Sequence, residues 1–351
     1  MIKIIDIEHI DEWNNLVKSF PDWDIYYTNE YATSLMLHGD GTPYLLYWEC
    51  ESKKLCYVLM VEDIAQSRLF ANNLKLNTYF DATVPYGYGG PLINKKLSSA
   101  DIRLFARELK ELLNERNIVS QFLRFHPLMG CQEDFYSLFE AVSFKDTVFI
   151  DTMNLDSIWS NMDSSNRNMI RKAIKLGITI EHDKGENIDA FIDIYKSTMD
   201  GHDADEYYYF DRNYYTFLTE KMSNNMEIFY SYLGDKIIGA SIVFYNGKYM
   251  HYHLSGSYRE YRQYASTNLL LYEAAKWANQ LGIEKFHLGG GLTKDDSLFK
   301  FKKKFNKQGI VPFYVGRMIC DKDKYNELLE VRAKADNSFD KNNNFLIQYR
   351  K

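Results

Sequence analysis

The chain of 351 residues is long enough for about two domains, and its 46% of hydrophobic residues supplies material for packed cores. Its 42 Lys and Arg against 48 Asp and Glu give a net charge of −6, which excludes a dedicated nucleic-acid packaging protein but not a local basic groove. No apolar run of about 18 residues occurs, so we expect no spanning helix. Asp6 interrupts the N-terminal apolar residues and the four cysteines are scattered, so we expect a cytoplasmic protein without a signal peptide.

The first half alternates between helices and strands. The predicted elements are a strand Met1–Asp6, helices Ile10–Phe20 and Asn29–His38, a hairpin of Tyr44–Glu49 with Leu55–Asp63, a turn-rich segment Val84–Pro91, a helix Ser99–Glu115, and a strand Val119–Phe125 followed by His126-Pro127.

The second half repeats this order of elements. Its predicted helices are Asn166–Leu176, Ile188–Met199, Arg212–Met222 and Thr267–Leu281, and its predicted strands are Ile178–Glu181, Glu227–Leu233, Lys236–Phe244, Lys248–Leu254 and Lys285–Leu288. The repetition predicts an α+β fold of duplicated units, each with a mixed sheet. We place one domain at 1–150, a second at 151–335, and a polar, poorly ordered tail at 336–351.

The strand that ends at Tyr252–Ser257 leads through a polar loop into the helix that begins near Thr267. Such a helix start is a ready site for an anion, because its backbone N–H groups are unpaired. The loop Arg262–Thr267 is similar to the Arg/Gln-x-x-Gly-x-Gly/Ala loop with which acyl-CoA transferases of the GNAT type hold a pyrophosphate. Ala265 and Thr267 stand at the two glycine positions, and their side chains crowd a diphosphate.

The segment Asp295–Asn306 is rich in lysine and phenylalanine. On a helix, Leu298, Phe301 and Phe305 share one apolar face, with Lys302 at its edge. We expect Lys302 to extend from this face into a cleft, although a solvated basic face is the alternative. Solvent exposure is the expectation for the neighbouring lysines, which are Lys300, Lys303 and Lys304.

The helix Asn166–Leu176 carries a row of cations. Arg167, Arg171 and Lys175 recur at every fourth position, opposite a predicted buried stripe of Met169, Ile170, Ala173 and Ile174. The row has the charge and spacing to bind phosphates, and an ordinary exposed helix face is the alternative.

The segment Asp200–Phe210 places acids beside three tyrosines. Buried carboxylates there would accept a proton from an attacking amine, with Tyr208 and Tyr209 lining a cleft. A hydrated acidic loop with core tyrosines is the alternative. The histidines at 202, 251, 253 and 287 lack the spacing of metal ligands, so we predict no metal site.

Several of these segments together resemble the Fem-type aminoacyl transferases. The Phe-Lys-x-x-Phe element, Phe301 to Phe305, is the most specific part of the resemblance. The other matching segments are Pro85–Pro91, Arg124–Pro127, Arg167–Gly177, Asp200–Phe210, Tyr252–Gly256, Asn268–Leu270, His287–Gly291 and Asp296–Lys300.

The resemblance implies two tandem GNAT-like domains, each a mixed, mostly antiparallel sheet flanked by helices. It also implies transfer of an aminoacyl group from charged tRNA to an amine, typically on a peptidoglycan precursor, with Lys302 at the transfer site. The chain lacks the long helical arm that some members insert. Its Tyr-rich loop and triple glycine look more like GNAT-like acyltransferases linked to cell-surface polysaccharides.

We therefore predict an acyltransferase that forms an amide on a small-molecule or lipid-linked cell-envelope precursor, at the inner face of the membrane, without DNA or a tightly bound cofactor. Aminoacyl-tRNA is the favoured donor. Acetyl-CoA or another acyl-CoA is the alternative donor, and a non-catalytic glycan-precursor binding protein is the alternative of another class. Lys302 would stabilise charge at the carbonyl oxygen, and Asp200 or Asp205 would accept the proton. The predicted substrate-binding residues are Tyr86, Tyr88, Arg124, Arg167, Arg171, Tyr208, Tyr209, His253, Ser255, Asn268, Gly290 and Phe301.

Overall fold

The computed structural model describes residues 1–70 and 73–351. The chain divides into two compact units. Unit 1 comprises Met1–Phe144 and Phe313–Lys351, and unit 2 comprises Lys145–Pro312. These limits differ from the predicted domains 1–150 and 151–335, because the last segment of the chain packs with the first.

The described residues form strands and helices that follow the predicted alternation. The strands are β1 Ile2–Asp6, β2 Thr42–Cys50, β3 Lys53–Asp63, β4 Phe80–Thr83, β5 Leu92–Ile93, β6 Ile118–Arg124, β7 Val142–Asp151, β8 Ile178–Asp183, β9 Met226–Leu233, β10 Lys236–Tyr245, β11 Tyr249–Ser257, β12 Lys285–Gly289 and β13 Ile310–Ile319. The helices are α1 Ile10–Lys18, α2 Asn29–His38, α3 Ser99–Glu115, α4 Leu155–Ser160, α5 Ser164–Lys175, α6 Ile188–Asp200, α7 Arg212–Lys221, α8 Ser266–Gln280, α9 Ser297–Lys303 and α10 Lys322–Ala335. None of the helices in these ranges has the length and apolar composition to span a bilayer.

The two units have the same sheet topology. Unit 1 has the order β1-β2-β3-β4-β6-β13, and unit 2 has the order β8-β9-β10-β11-β12-β7. Neighbouring strands are antiparallel except for one parallel pair in each unit, β4 with β6 and β11 with β12. A long helix connects each parallel pair, α3 in unit 1 and α8 in unit 2. The prediction of duplicated α+β units with mixed, mostly antiparallel sheets is confirmed.

The sixth strand of each sheet comes from a distant part of the chain. β7 follows β6 in sequence but pairs with β12, with Ile150 opposite Phe286. β13 follows unit 2 in sequence but pairs with β6, with Met318 opposite Gln121. This exchange explains why no single cut near residue 150 separates the units.

The C-terminal residues are packed, so the expectation of a poorly ordered tail over 336–351 is wrong. Tyr349 is fully buried, and its hydroxyl lies 2.6 Å from Ser120 Oγ. Arg350 Nε donates to Asp81 Oδ2 at 2.7 Å, and its guanidinium also pairs with Glu62 at 3.2 Å. Arg350 therefore joins the C-terminal segment to unit 1 through an ion-pair network with Asp81 and Glu62.

Local sequence signals explain the long helix of unit 1. Ser98 and Asp101 form a reciprocal capping box that satisfies backbone N–H groups at its start. Phe105, Leu109 and Leu113 recur every fourth residue and are fully buried. Helix α3 consequently has the predicted bounds.

Candidate functional site

The parallel strands β11 and β12 separate at their carboxyl ends. They pair only from Tyr249 opposite Lys285 to His251 opposite His287. Beyond this point β11 continues to Ser257 along β10, while β12 continues to Gly289 along β7. The separation opens a wedge beside the start of α8, and the carboxyl ends of parallel strands next to a helix N-terminus are where α/β sheets bind ligands. We take this wedge as the candidate site.

The start of α8 borders the wedge and has an unusual backbone. Ala265 lies in the left-handed region with φ +54°, and no side chain caps the helix. This is the conformation that glycine favours, and Ala265 stands at the first glycine position of the GNAT-like loop. The turn that the motif requires is thus present without its glycine.

Lys302 extends into the wedge from α9. Only 7% of the residue is exposed, and its Nζ donates to the Gly290 carbonyl at 2.8 Å. The same Nζ lies 5.5 Å from the ring centroid of Tyr252 on β11. The other three lysines of the segment, Lys300, Lys303 and Lys304, are exposed, as expected. The helix therefore presents one buried amine at the point where the strands part.

The buried face of α9 differs from the predicted one. Phe299, Lys302 and Phe305 are buried, whereas Leu298 is 40% exposed and Phe301 is half-buried with its ring edge-on to Phe305. The predicted face is wrong for Leu298, whereas Phe305 is buried as expected and Phe301 is buried in part. Asp296 sets the phase, because its carboxylate caps the helix by accepting from the Phe299 N–H at 2.8 Å.

The electrostatic surroundings disfavour a proton on Lys302. Burial above all, and then the nearby positive charge of Lys145, lower the pKa of its amine to about 7, while the charge of Asp296 opposes both effects. Lys145 Nζ donates to the Gly291 carbonyl at 2.6 Å. The neutral form of Lys302 is consequently far more populated at pH 7 than that of an exposed lysine, which is almost fully charged.

The glycines of the loop let its backbone approach β7. A Cβ on Gly290 would lie 2.7 Å from the Asp146 carbonyl oxygen, and one on Gly291 would overlap the Asp296 carboxylate. The chain can therefore turn here only without side chains, and its two successive carbonyls accept from the two lysines.

Hydroxyl groups on β10 and β11 extend the site. The Tyr252 hydroxyl is hydrogen-bonded by Ser255 and Ser241, and Ser241 Oγ donates to Ser255 Oγ at 2.8 Å. Since the Tyr252 ring lies beneath Lys302, the structure brings the predicted residues Lys302, Gly290 and Ser255 together. These groups could donate hydrogen bonds to a substrate carbonyl.

A second group of predicted residues lies where α5 meets α8. Asn268 Nδ2 donates to Asn166 Oδ1 at 2.7 Å. Arg167 donates to carbonyls at the end of α4, and the shortest of these bonds is 2.6 Å, to Met162 O. Part of the hydrogen-bonding capacity of its guanidinium is therefore used to stabilise the fold. The exposed Arg171 places its guanidinium 5.1 Å from the Trp159 ring centroid.

The buried stripe of α5 is narrower than predicted. Ile170 and Ala173 are fully buried together with Asn166, but Met169 and Ile174 are exposed. The prediction is wrong for these last two residues, because the buried face is centred on Asn166, Ile170 and Ala173, and Met169 and Ile174 lie on its two flanks.

The acidic loop lies open to solvent. Asp200 and Asp205 are both exposed, so the expectation of buried carboxylates is wrong. Asp200 accepts from the Tyr209 hydroxyl at 2.9 Å, and Asp205 accepts from the Tyr207 N–H at 2.9 Å to cap a short turn. No hydrogen bond or ion pair in residues 1–70 and 73–351 joins either acid to Lys302. Tyr208 is half-buried and Tyr209 is exposed.

His253 lies against α7. Its Nε2 is 2.9 Å from the Tyr214 hydroxyl, and burial, together with a smaller effect of His251, lowers the pKa of the imidazole to about 3. The ring is therefore neutral at pH 7 and contributes to the packing of β11 on α7.

The remaining predicted residues lie together in unit 1. The Tyr88 ring packs edge-on against Tyr26 and Phe313, with centroids at 5.5 and 5.4 Å. Burial and the nearby Tyr86 raise the pKa of the Tyr88 hydroxyl, and the charge of Arg124 opposes this rise. The three predicted residues Tyr86, Tyr88 and Arg124 are thus neighbours.

Sequence reasoning missed Lys145, Tyr252 and Asp296 as site residues. Lys145 lies on β7, a strand that was not predicted. Asp296 carries a recognisable signal, because an aspartate just before the apolar residues of a helix is a typical N-cap.

The comparisons with known proteins fit this geometry. Residues 161–332 match the family model described as an acetyltransferase (GNAT) domain. No match was found among curated protein sequences.

Three solved structures illustrate the likeness. FemX has a TM-score of 0.68 and 15% identity over 93% of this chain and 99% of that chain. A conserved protein of unknown function from Bacteroides thetaiotaomicron has a TM-score of 0.61 and 11% identity over 91% and 100% of the two chains. The C-terminal domain of a putative lysylphosphatidylglycerol synthetase from Agrobacterium fabrum has a TM-score of 0.54 and 13% identity over 88% and 92%. At these identities the likeness shows the fold, and together with the matched domain it confirms the predicted GNAT-fold acyltransferase with a Fem-like architecture.

Proposed function

We propose that the GNAT domain of this chain transfers an acyl group to an amine in the wedge between β11 and β12, with Lys302 accepting the proton. The observation that carries this proposal is a buried amine, bonded to the Gly290 carbonyl where two parallel strands part, whose pKa is lowered to about 7. A general base with a pKa near the working pH is the most effective.

The chemistry follows from that protonation state. The neutral acceptor amine attacks the donor carbonyl, and a carbon–nitrogen bond forms as a tetrahedral intermediate. Lys302 takes one proton from the new nitrogen as the carbon–oxygen bond of an ester, or the carbon–sulfur bond of a thioester, breaks. The leaving hydroxyl or thiol then receives a proton, which returns Lys302 to its neutral form. Since Asp200 and Asp205 are exposed, this proposal moves the proton acceptor from those acids to Lys302.

We propose charged tRNA as the donor. Ala265 and Thr267 place side chains where the GNAT loop has glycine, which hinders a diphosphate. Exposed cations on α5 and α9 supply charge for a phosphate backbone, and the two helices are neighbours because the Asp163 N–H donates to the Lys304 carbonyl at 2.8 Å.

Acetyl-CoA or another acyl-CoA is the second candidate donor. The left-handed Ala265 preserves the turn that glycine makes in the GNAT loop, and α8 begins without a side-chain cap. Both features leave backbone N–H groups at the helix start for an anion.

We propose an amine of a cell-envelope precursor, of peptidoglycan or of a surface polysaccharide, as the acceptor. The support is the Fem-type resemblance of the sequence and the FemX-like fold. A lipid-linked acceptor would bring the chain to the inner face of the membrane. Tyr86, Tyr88 and Arg124 remain a separate prediction of substrate contacts in unit 1.

The test is a transfer assay with two labelled donors, a charged tRNA mixture and acetyl-CoA, offered with amine-bearing peptidoglycan and amino-sugar precursors. We expect an amide product from tRNA, lost in Lys302→Met and kept in Lys304→Met. Product from acetyl-CoA alone would establish the second candidate. Tight precursor binding without product from either donor would establish the non-catalytic glycan-binding alternative.

A further inference from the structure

Lys302 has a neighbour that the Fem-type resemblance does not include. Lys145 lies at the start of β7, half-buried, and donates to the Gly291 carbonyl at 2.6 Å. Lys302 donates to the preceding carbonyl, that of Gly290, at 2.8 Å. Two lysines from different elements thus bind two successive carbonyls of one glycine loop.

The glycine loop fixes the separation of the two amines. Gly290 packs against the Asp146 carbonyl with no room for a Cβ, so the loop cannot move toward β7. The two amines thus bind carbonyls of neighbouring residues, and the positive charge of Lys145 acts on Lys302 across this short segment. Two like charges in a partly buried site repel, and the more buried of the two loses its proton first.

The other groups that face Lys302 do not cancel this repulsion. On the β11 side, Lys302 faces the ring of Tyr252, which carries no formal charge. From the cap of α9, Asp296 attracts the proton, but its carboxylate is already occupied by the N–H groups of Leu292, Thr293 and Phe299. The remaining lysines of α9 are exposed and screened by water.

We propose that Lys145 is a positioning residue of the transfer site, which holds the Gly290–Gly291 loop in place and, through its positive charge, keeps the proton off Lys302. This proposal rests on the proposed function for its catalytic meaning. The effect on Lys302 itself is a property of the folded protein without substrate.

The experiment measures the titration of Lys302 directly. Trace acetic anhydride acetylates only neutral amines, and mass spectrometry of the peptide that contains Lys302 gives its reactivity from pH 5 to 11. The proteins are the full-length wild type and the variants Lys145→Met, Lys145→Gln and Lys145→Arg. Lys285→Met is the control, because Lys285 is also a lysine of unit 2 and its Nζ lies over the Phe149 ring.

We expect Lys145→Met and Lys145→Gln to move the Lys302 titration by about 0.5–1 pH unit toward the ordinary lysine value of 10.5. Lys145→Arg, which keeps the charge, and Lys285→Met should leave it in place. Gln keeps a donor for the Gly291 carbonyl, so a shift in that variant reports charge and not loop disorder. An unchanged titration in Lys145→Gln, or an equal shift in Lys145→Arg, would overturn the proposal.

A second readout separates this inference from the proposed function. The acid limb of the transfer rate should move with the Lys302 titration in Lys145→Gln. If the Lys302 titration shifts in Lys145→Gln but the pH dependence of the transfer rate does not, Lys145 changes the proton affinity of Lys302, and Lys302 is not the general base. If the transfer rate is lost when Lys302 is replaced, but the acetylation titration of Lys302 is the same in the Lys145 variants and the wild type, the proposed function stands and the inference fails.

Discussion

At the scale of the residue, Lys302 combines deep burial with the absence of a contacting carboxylate among the described residues. Its Nζ donates a hydrogen bond to the Gly290 carbonyl. Burying an amine in this way costs stability, and proteins keep such groups where their chemistry requires a neutral amine. Function and stability should therefore respond in opposite directions when Lys302 is replaced.

Activity is the first prediction at this scale. Lys302→Met should lower kcat by about 10²–10⁴-fold, because a positioned general base contributes that much. Lys304→Met, an exposed neighbour two residues away, should change kcat by less than about twofold. In the wild type, kcat measured with hydroxylamine as acceptor should rise with pH through about 7. A rate that falls through the same range would show that the charged amine is the active form.

Stability is the second prediction. The pKa of Lys302 is about 7 in the folded chain and 10.5 in an ordinary lysine, so between these values the unfolded chain binds the extra proton. The free energy of unfolding should then rise with pH across this window. In Lys302→Met, the free energy of unfolding should rise less steeply with pH. At pH 7 it should be higher than that of the wild type by at least about 1 kcal/mol. Urea unfolding at pH 6, 7, 8 and 9 measures both, and a less stable Lys302→Met would contradict the argument.

At the scale of the element, the start of α8 places an L-residue in a glycine conformation. The left-handed region costs a non-glycine residue about 1 kcal/mol. Ala265→Gly should therefore raise the free energy of unfolding by about 0.5–1 kcal/mol, measured by thermal unfolding.

The matched control lies at the other end of the same helix. Gly282 has φ +73° and open space around it, so Gly282→Ala should lower stability by about 1 kcal/mol through backbone strain alone. Ala265→Gly also restores the first glycine of the GNAT loop. If acyl-CoA is the donor, this variant should bind acetyl-CoA more tightly than the wild type, and unchanged binding would favour charged tRNA.

The elements differ in how much the sequence revealed of them. α3 was predicted with its observed bounds, because its capping box and its buried residues every fourth position are both local signals. β7 was missed, because its first three residues are exposed and its pattern does not alternate until the strand meets β12. The phase of α9 was misjudged, because the segment has four apolar side chains, which allow two different buried faces, and the Asp296 cap decides between these faces.

The site shows the same limit. The local pattern of one helix was enough to expect that Lys302 extends from an apolar face into a cleft, but the hydrogen bond from Lys302 to the Gly290 carbonyl was not predicted. Lys145 was not predicted either, because it reaches the glycine loop from a strand about 145 residues earlier in the chain. Pairings over such distances depend on which strand completes which sheet, and no local pattern encodes that.

At the scale of the whole molecule, the C-terminal residues complete unit 1. Tyr349→Ala should lower the free energy of unfolding by about 3–5 kcal/mol, because it removes a fully buried ring and leaves Ser120 and Asp81 without its hydroxyl. Phe345→Ala is the control in the same segment, because that ring is exposed and should change stability by less than about 0.5 kcal/mol. Urea unfolding followed by aromatic fluorescence compares them, and equal effects would contradict the packing argument.

The exchange of strands also determines the order in which the two units can fold during synthesis. Ribosomes add about 5–20 residues per second, and N-terminal domains generally fold first. After β6 is made, about 190 further residues must be added, which takes roughly 10–40 s, before β13 can pair with its open edge. Every strand of unit 2, by contrast, is available once Pro312 has left the tunnel. The later-made unit should consequently fold first, and the nascent edge of β6 is where a chaperone would be needed in the interval.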